Sequence, residues 1–526
     1  MNNQNLKNLR IIKSVLFILM IFPFMAFTQD DQKWEKEFNK LESHYKHGRY
    51  FQASNGAKIL LNKITKKGEL KQYYLPSQAL YLKYQAALGL RKDNDVQLDS
   101  IIAKWDTIQS FPSDSFAIMG NTAIASSAFA YAKFEQADLK YSASQEFVNE
   151  NSDPYKYWAQ YIRIARMQLF LQTMSYNKAK KYIDETIAYQ RNLTKKKEKV
   201  YNEKKGVEEF VKVKKKDYKN RLSTLGELMV MKADIFLGQG DLEIADSIYR
   251  KNEKDLFQLV KKKDISYIKN WYGYTKLQVL KGDPYAGLDL RKVRKKYATN
   301  VKYNIPNLLY FDMFENEIRA DAQLENYSKY SKALKQYERE VLKNFPKKSS
   351  HQFTADYLGH LTELSKGKYK TYGKRMSKQA ENLHNYYGLN DAGQLAFLYD
   401  LAKAQISLYD YTGAKLTYEK ILKITDINNS DSSSFYYNAN LELGSYYLNY
   451  TTNYKAADSI YNKYFDVFVL KELHPYHPFY GKFLNDYALI NTKQDDFTEA
   501  ITKYKRLAEI NKVKYGDQSE EYALVL

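Results

Sequence analysis

The sequence predicts an all-α protein built as a solenoid of about eleven helix-turn-helix units. Three observations lead there. Hydrophobic residues make up 44% of the 526 positions, enough to bury a core along the whole length. Gly (21) and Pro (9) are scarce while Tyr (50) is abundant, a mixture that suits helices packed through rings and suits a large sheet poorly. The third observation, an internal period, carries most of the argument.

The repeated element is a small or polar residue, an aromatic two positions on, a small residue three further, and another aromatic four later. Clear copies are Gly48-Arg49-Tyr50-Phe51-Gln52-Ala53, Tyr409-Asp410-Tyr411-Thr412-Gly413-Ala414, Thr452-Asn453-Tyr454-Lys455-Ala456-Ala457 and Asp495-Asp496-Phe497-Thr498-Glu499-Ala500, with Tyr418, Tyr461 and Tyr504 four beyond the last three anchors. Weaker copies end at Leu98, Ala137, Ala179, Ala245, Gly287, Ala333 and Tyr372, and the successive steps are 45, 39, 42, 66, 42, 46, 39, 42, 43 and 43 residues. Each unit is expected to be an antiparallel helix pair, the small residue sitting where the second helix crosses the first. A unit of this kind cannot bury its apolar face alone, so neighbours stack into a solenoid.

The step of 66 residues marks an insertion at 194–220, with eleven lysines against five acidic residues, no proline and one glycine, Gly206. It is expected to be a helical projection, either a solvated spacer or a basic contact for an acidic partner or a membrane surface. Its apolar residues, Val200, Tyr201, Val207, Phe210, Val211 and Val213, are too sparse for a long coiled coil. The chain therefore divides into 1–28, repeats over 29–193, the lysine-rich insertion 194–220, and repeats over 221–526, where Glu520 onward begins a further first helix.

The repeated residues resemble the tetratricopeptide repeat family, in which a Leu-small pair in the first helix precedes a Gly-x-Tyr-x-x-Ala turn. Leu398-Tyr399-Asp400-Leu401-Ala402 and Leu484-Asn485-Asp486-Tyr487-Ala488 stand at the expected distance before Ala414 and Ala500. A period near 42 exceeds the family's usual length of about 34 and looks like the kinesin-light-chain variety, whose units are joined by a Gly-x-x-His-Pro loop. His474-Pro475-Tyr476-His477-Pro478 matches that loop in part, and Tyr515-Gly516-Asp517-Gln518-Ser519 matches without the His-Pro. The resemblance implies a right-handed superhelix whose concave side is lined by first helices. Its exposed positions correspond to Tyr399, Lys403 and Ile406 in one unit and Lys482, Asn485 and Leu489 in another, with Asn485 at the place of the family's peptide-backbone clamp.

Chemistry-bearing motifs are sparse. No pair of the seven histidines shows the His-Glu-x-x-His spacing of a helical zinc site; His44 and His47 stand three apart with no acidic partner segment. Gly238-Gln239-Gly240 sits at a repeat turn with no Gly-Lys-Ser/Thr following, so nucleotide binding has no support. Ser430-Asp431-Ser432-Ser433-Ser434 reads as a polar loop without a nucleophile elbow. No catalytic residue, cofactor or metal is expected.

Residues 1–28 place Lys7, Arg10 and Lys13 ahead of an apolar run over 15–27 that carries Pro23, with Ala26 and Thr28 just before Gln29. This is the order of a secretory signal peptide cleaved before Gln29, too short and interrupted for a spanning helix. With no cysteine there is no lipoprotein anchor, and in a bacterium the expected destination is the periplasm or cell envelope. The net charge of +21 then speaks of lysines spread over solvated helix faces, or of an acidic or membrane partner, rather than of nucleic acid. The leading functional expectation is a non-enzymatic scaffold that binds a protein or peptide along the concave face. Two alternatives share its features: the docking or sensory arm of a longer signalling or caspase-like protease protein, and a structural part of an envelope secretion or motility assembly.

Overall fold

The computed structural model describes residues 29–526 apart from 69, 93, 149–155, 196, 203–206, 257–259, 261–263, 282, 284, 301–306, 324–326, 428–433 and 476. The signal segment expected at 1–28 lies outside the described residues. What is described is an all-helical repeat solenoid interrupted by one hairpin.

Helices pair in chain order. Unit 1 is α1 (Gln29–Lys46) and α2 (Tyr50–Lys67), unit 2 α3 (Tyr74–Ala87) and α4 (Asn94–Asp106), unit 3 α5 (Asp114–Ala130) and α6 (Phe134–Glu146), and unit 4 α7 (Lys156–Gln172) and α8 (Tyr176–Leu193). Unit 5 is α9 (Lys215–Gln239) and α10 (Leu242–Lys251), unit 6 α11 (Ile265–Leu280) and α12 (Ala286–Asn300), unit 7 α13 (Leu308–Gln323) and α14 (Tyr327–Asn344), and unit 8 α15 (Ser350–Ser365) and α16 (Tyr369–Glu381). Unit 9 is α17 (Leu395–Ser407) and α18 (Tyr411–Ile427), unit 10 α19 (Ser434–Tyr450) and α20 (Tyr454–Tyr464), and unit 11 α21 (Pro478–Lys493) and α22 (Phe497–Tyr515), followed by the short α23 (Glu520–Ala523).

The repeat motif encodes the turn inside each unit. Gly48, Ala132, Met174, Gly240, Gly367, Tyr409, Thr452 and Asp495 all stand five before an anchor, and all adopt positive φ. A left-handed residue ends the first helix and lets the next N–H reach back across the last turn, as Arg49 does to the His44 carbonyl (2.9 Å) and Asp410 to that of Gln405 (2.9 Å). The motif's aromatic or aliphatic residue then opens the second helix. The anchor is the fourth residue of that helix in eight units, and Ala53, Ala137, Ala179, Ala245, Ala414 and Ala457 are wholly buried. Four residues on, Tyr141, Tyr249, Tyr418 and Tyr461 are buried as well.

In the other three units the anchor falls elsewhere in its helix: Leu98 is fifth in α4, Gly287 second in α12 and Ala333 seventh in α14. In α14 the fourth residue is Tyr330, fully buried, and Ala333 lies one helical turn later on the same buried face. Counting from Tyr330, the two neighbouring steps become 43 and 42 residues, so the apparent irregularity of 46 and 39 came from choosing the small residue over the aromatic.

Most of the insertion is a hairpin rather than a helix, and only its last six residues, from Lys215, are helical, as the start of α9. Strands β1 (Lys197–Asn202) and β2 (Val207–Lys212) pair antiparallel, with Lys197 opposite Lys212 and Asn202 opposite Val207. Five of the twelve strand positions are Val, Tyr or Phe, and this density of β-branched and aromatic residues over two six-residue runs outweighs the absence of helix breakers.

The solenoid winds back on itself. Turns of early units meet the segments that start first helices six units later. The Leu308 N–H of unit 7 donates to the Tyr50 hydroxyl of unit 1 (2.7 Å). In unit 2 the Gly89 carbonyl accepts from Ser350 N–H (2.9 Å), and the Ala87 carbonyl lies 3.0 Å from His351 Nε2 of unit 8. Ala132 of unit 3 packs against the core shared by units 8–10. Asn177 of unit 4 donates its side-chain amide to the Lys471 carbonyl after unit 10 (2.8 Å), and the Gln239 carbonyl of unit 5 accepts from His474 N–H before unit 11 (2.9 Å). Gly89 is required at this seam, since a Cβ there would come within 2.9 Å of the Ser350 nitrogen. Arg91 crosses it too, its Nε and Nη2 each 2.8 Å from the Asp391 carboxylate. His474 and His477, from the segment that matches the inter-unit loop in part, are half-buried against Gln239 and Gly240. Among the described residues no helix is long and apolar enough to cross a membrane.

Candidate partner-binding face

First helices are joined by bonds from a tyrosine or lysine to a carboxylate about one period away. Tyr84 and Lys83 donate to Glu42 (2.9 and 2.8 Å), Tyr272 to Asp312 (2.8 Å), Tyr357 to Asp400 and Tyr399 to Glu442 (3.0 Å). At Glu42 and Glu442, both buried, such bonds satisfy carboxylates that stacking would otherwise strand away from water. They give many of the tyrosines a structural task.

In units 9–11 this ladder collects the residues expected to line the face. Glu442 on α19, 6% exposed, accepts from Tyr399 on α17 and forms an ion pair with Lys482 on α21 (2.5 Å). Lys403, exposed, holds its ammonium 4.4 Å from the Tyr399 ring centre and 5.9 Å from that of Phe479 on α21. Asn485 is exposed one turn beyond Lys482. Thus Tyr399, Lys403, Lys482 and Asn485 share one strip across three successive first helices. Ile406 and Leu489 are half-buried and pack onto the adjoining cores.

Burial and the Glu442 charge push the Tyr399 phenol well above its ordinary range, so its hydroxyl stays a donor. On α21 the Asp486 carboxyl is raised by burial although Ser445 and Tyr461 both donate to it. The carboxylates of the strip are therefore covered, and what faces outward is two ammonium groups and an amide. Glu442 escaped the sequence reading although its signal was present: it stands 15 before Ala457, as Tyr399 does before Ala414 and Asn485 before Ala500.

Ser445, whose hydroxyl donates to Asp486, is buried with it rather than presented on the face. Among the described residues no three His, Asp or Glu side chains are grouped to hold a metal. A separate pocket of about 270 Å³ lies between α10 and α11, lined by Tyr249, Arg250, Glu253, Tyr267, Asn270, Trp271 and Tyr274. Its guanidinium is already held by Asp246 and by the Tyr274 hydroxyl, each at 2.9 Å.

No family model and no curated protein matches the sequence. Among solved structures the chain is similar to that of a Rap protein complexed with competence and sporulation factor, at 11% identity and a TM-score of 0.44, over 76% of this chain and 99% of that one. It is also similar to the Cut9-Hcn1 hetero-tetramer of the APC/C, at 11% identity and a TM-score of 0.33, over 92% of this chain and 80% of that one. A third likeness, to yeast Tom70, has 11% identity and a TM-score of 0.35, over 94% and 95%.

Proposed function

We propose that the chain is a non-enzymatic scaffold that holds an extended segment of a protein partner along the first helices of units 9–11. The observation that carries this is the convergence of Tyr399, Lys403 and Lys482 around Glu442, with the exposed Asn485 amide beside them. A side-chain amide can accept from and donate to a peptide backbone, and two ammonium groups favour acidic side chains on the bound segment. The scaffold works in the cell envelope, a reading supported by the charge and apolar order of residues 1–28. The insertion at 194–220, with eleven lysines against five acidic residues, offers a basic contact for an acidic partner or a membrane surface.

A photo-crosslinker placed at Asn485 tests the central claim in cells that make the protein. Crosslinks to one partner, lost when Lys403→Glu and Lys482→Glu are combined, are expected. Crosslinks unaffected by that charge reversal, with the partner still co-purifying, would place the binding face elsewhere.

A further inference from the structure

The seam covers the turn edge of units 1–5 and leaves the same edge of the later units open. There, aromatic residues that the motif places at or beside each turn face outward: Tyr369 is 53%, Tyr409 80%, Tyr450 40% and Phe497 55% exposed. Two turns are linked by rings, with Tyr411 stacked on Tyr450 at 4.4 Å and Tyr409 edge-on to Tyr411 at 6.3 Å. Tyr409 holds a positive φ of 62°, where glycine would sit without strain, and presents its ring to solvent. A contiguous aromatic ridge is more than scattered surface hydrophobes, and tyrosine is enriched where protein surfaces meet.

Charge along the ridge indicates what covers it. The unit 8 turn carries exposed Lys366, Lys368 and Lys370, of which Lys368 lies 3.7 Å from Glu363; the unit 11 turn carries exposed Asp495 and Asp496 with the single Lys493 just before them, and the rings of units 9 and 10 lie between. A strip that is basic at one end, aromatic in the middle and acidic at the other matches itself when turned through a two-fold axis. Each basic end then meets an acidic end, and ring meets ring. We propose that the turn edge of units 8–11 is the interface of an antiparallel homodimer, an isologous contact of this edge with its own copy.

The test is sedimentation of the whole protein and of two variants. The first carries Lys366→Glu, Lys368→Glu and Lys370→Glu, making both ends acidic. The second carries Asp495→Lys and Asp496→Asn, making both ends basic while asparagine keeps the helix cap that Asp496 supplies to Glu499 N–H. The wild type should dimerise. Each variant alone should lose about tenfold or more in self-affinity, with an unchanged circular dichroism spectrum. Mixed one to one, the two should recover the dimer, because every like-charged end now faces its opposite. Tyr409→Asn, compatible with the left-handed backbone, should weaken the wild-type dimer. A wild type that stays monomeric at its solubility limit would overturn the proposal, as would variants that self-associate undiminished or fail to pair when mixed.

Discussion

Replacing Asp391 by alanine should open the seam between units 2 and 8–9 without unfolding the helix pairs on either side. Asp391 is wholly buried and Arg91 is 9% exposed. The guanidinium makes two bonds of 2.8 Å to the carboxylate and a third of 2.7 Å to the Ala130 carbonyl, and lies 4.8 Å from the Tyr131 ring centre. Asp391 also caps its own segment, accepting from Gly393 N–H at 2.7 Å. Removing one member of a buried ion pair costs about 3–5 kcal/mol, since the remaining charge keeps its desolvation penalty, and the lost cap adds about 1 kcal/mol. The guanidinium cannot escape by deprotonation. It can escape by hydration, if the two superhelical turns separate, so the loss is bounded by the free energy of the seam itself.

Amide exchange reads this directly. Ser350 and His474 donate their N–H groups across the seam, whereas Ala53 and Ala414 donate within their own units, to Arg49 and Asp410. Asp391→Ala should speed exchange at Ser350 by about 100-fold or more for a loss near 3 kcal/mol, with a smaller effect at His474, and should leave Ala53 and Ala414 unchanged. Adding Arg91→Met to Asp391→Leu should restore most of the protection at Ser350, because an apolar pair removes the stranded charge. If Ser350 exchanges as in the wild type, the pair does not hold the seam. If all four amides fail together, seam and units form a single cooperative block.

Three further outcomes follow from buried groups. Burial holds the His351 imidazole down at about 4 from an ordinary 6.5; the unfolded chain therefore binds the extra proton in this window, and stability should fall as pH drops from about 6.5 to 4. Denaturant titrations across that range should show a shallower fall for His351→Gln, and an unaltered slope would remove His351 from the account. Burial and the Asp31 charge push the Glu35 carboxyl up to about 7, so its protonated form stabilises the folded state at low pH and that contribution disappears as pH rises through 7. Glu35→Gln should match the wild type near pH 4 and exceed it above pH 7 by about 1–3 kcal/mol; equal stability at both ends would contradict this. Ala457→Leu and Ala500→Leu should each cost ~1–3 kcal/mol by overpacking, with faster exchange confined to units 10 and 11. Equally fast exchange in units 1–3 would mean that the damage is not local.

The repeat was legible because its physics is local. A left-handed helix end, an opening aromatic and a buried alanine lie within six residues, so one copy such as 409–414 shows the whole device. The displaced anchor in α14 shows the limit of that reading: Tyr330 and Ala333 share a buried face, and composition alone favours the smaller residue. The hairpin was missed because lysine density and the lack of proline dominated the view of 194–220, whereas the strand signal lay in two short runs paired across a four-residue connection. Part of the strip proposed to bind a partner was legible from Tyr399 and Asn485, and Glu442 could have joined it by the same offset.

The seam was not legible, and it changes what the strip is. In a linear array each unit touches only its neighbours, so stability is a sum of unit and nearest-neighbour terms and the curvature of any three units can drift. Here Arg91 meets a residue 300 positions away, and nothing in either neighbourhood marks the pairing. Such contacts tie units 1–5 to units 7–11, and the core that begins at Trp34 extends through Leu441, Phe483 and Leu507. Units 9–11 are therefore braced from behind by units 3–5 through Ala132, Asn177 and Gln239. The spacing of Tyr399, Glu442 and Lys482 depends on the curvature of those three units, and that curvature is set partly by residues more than 200 positions earlier in the chain. Loosening the seam should thus weaken the partner binding proposed for the strip around Asn485 even when every residue of the strip is intact.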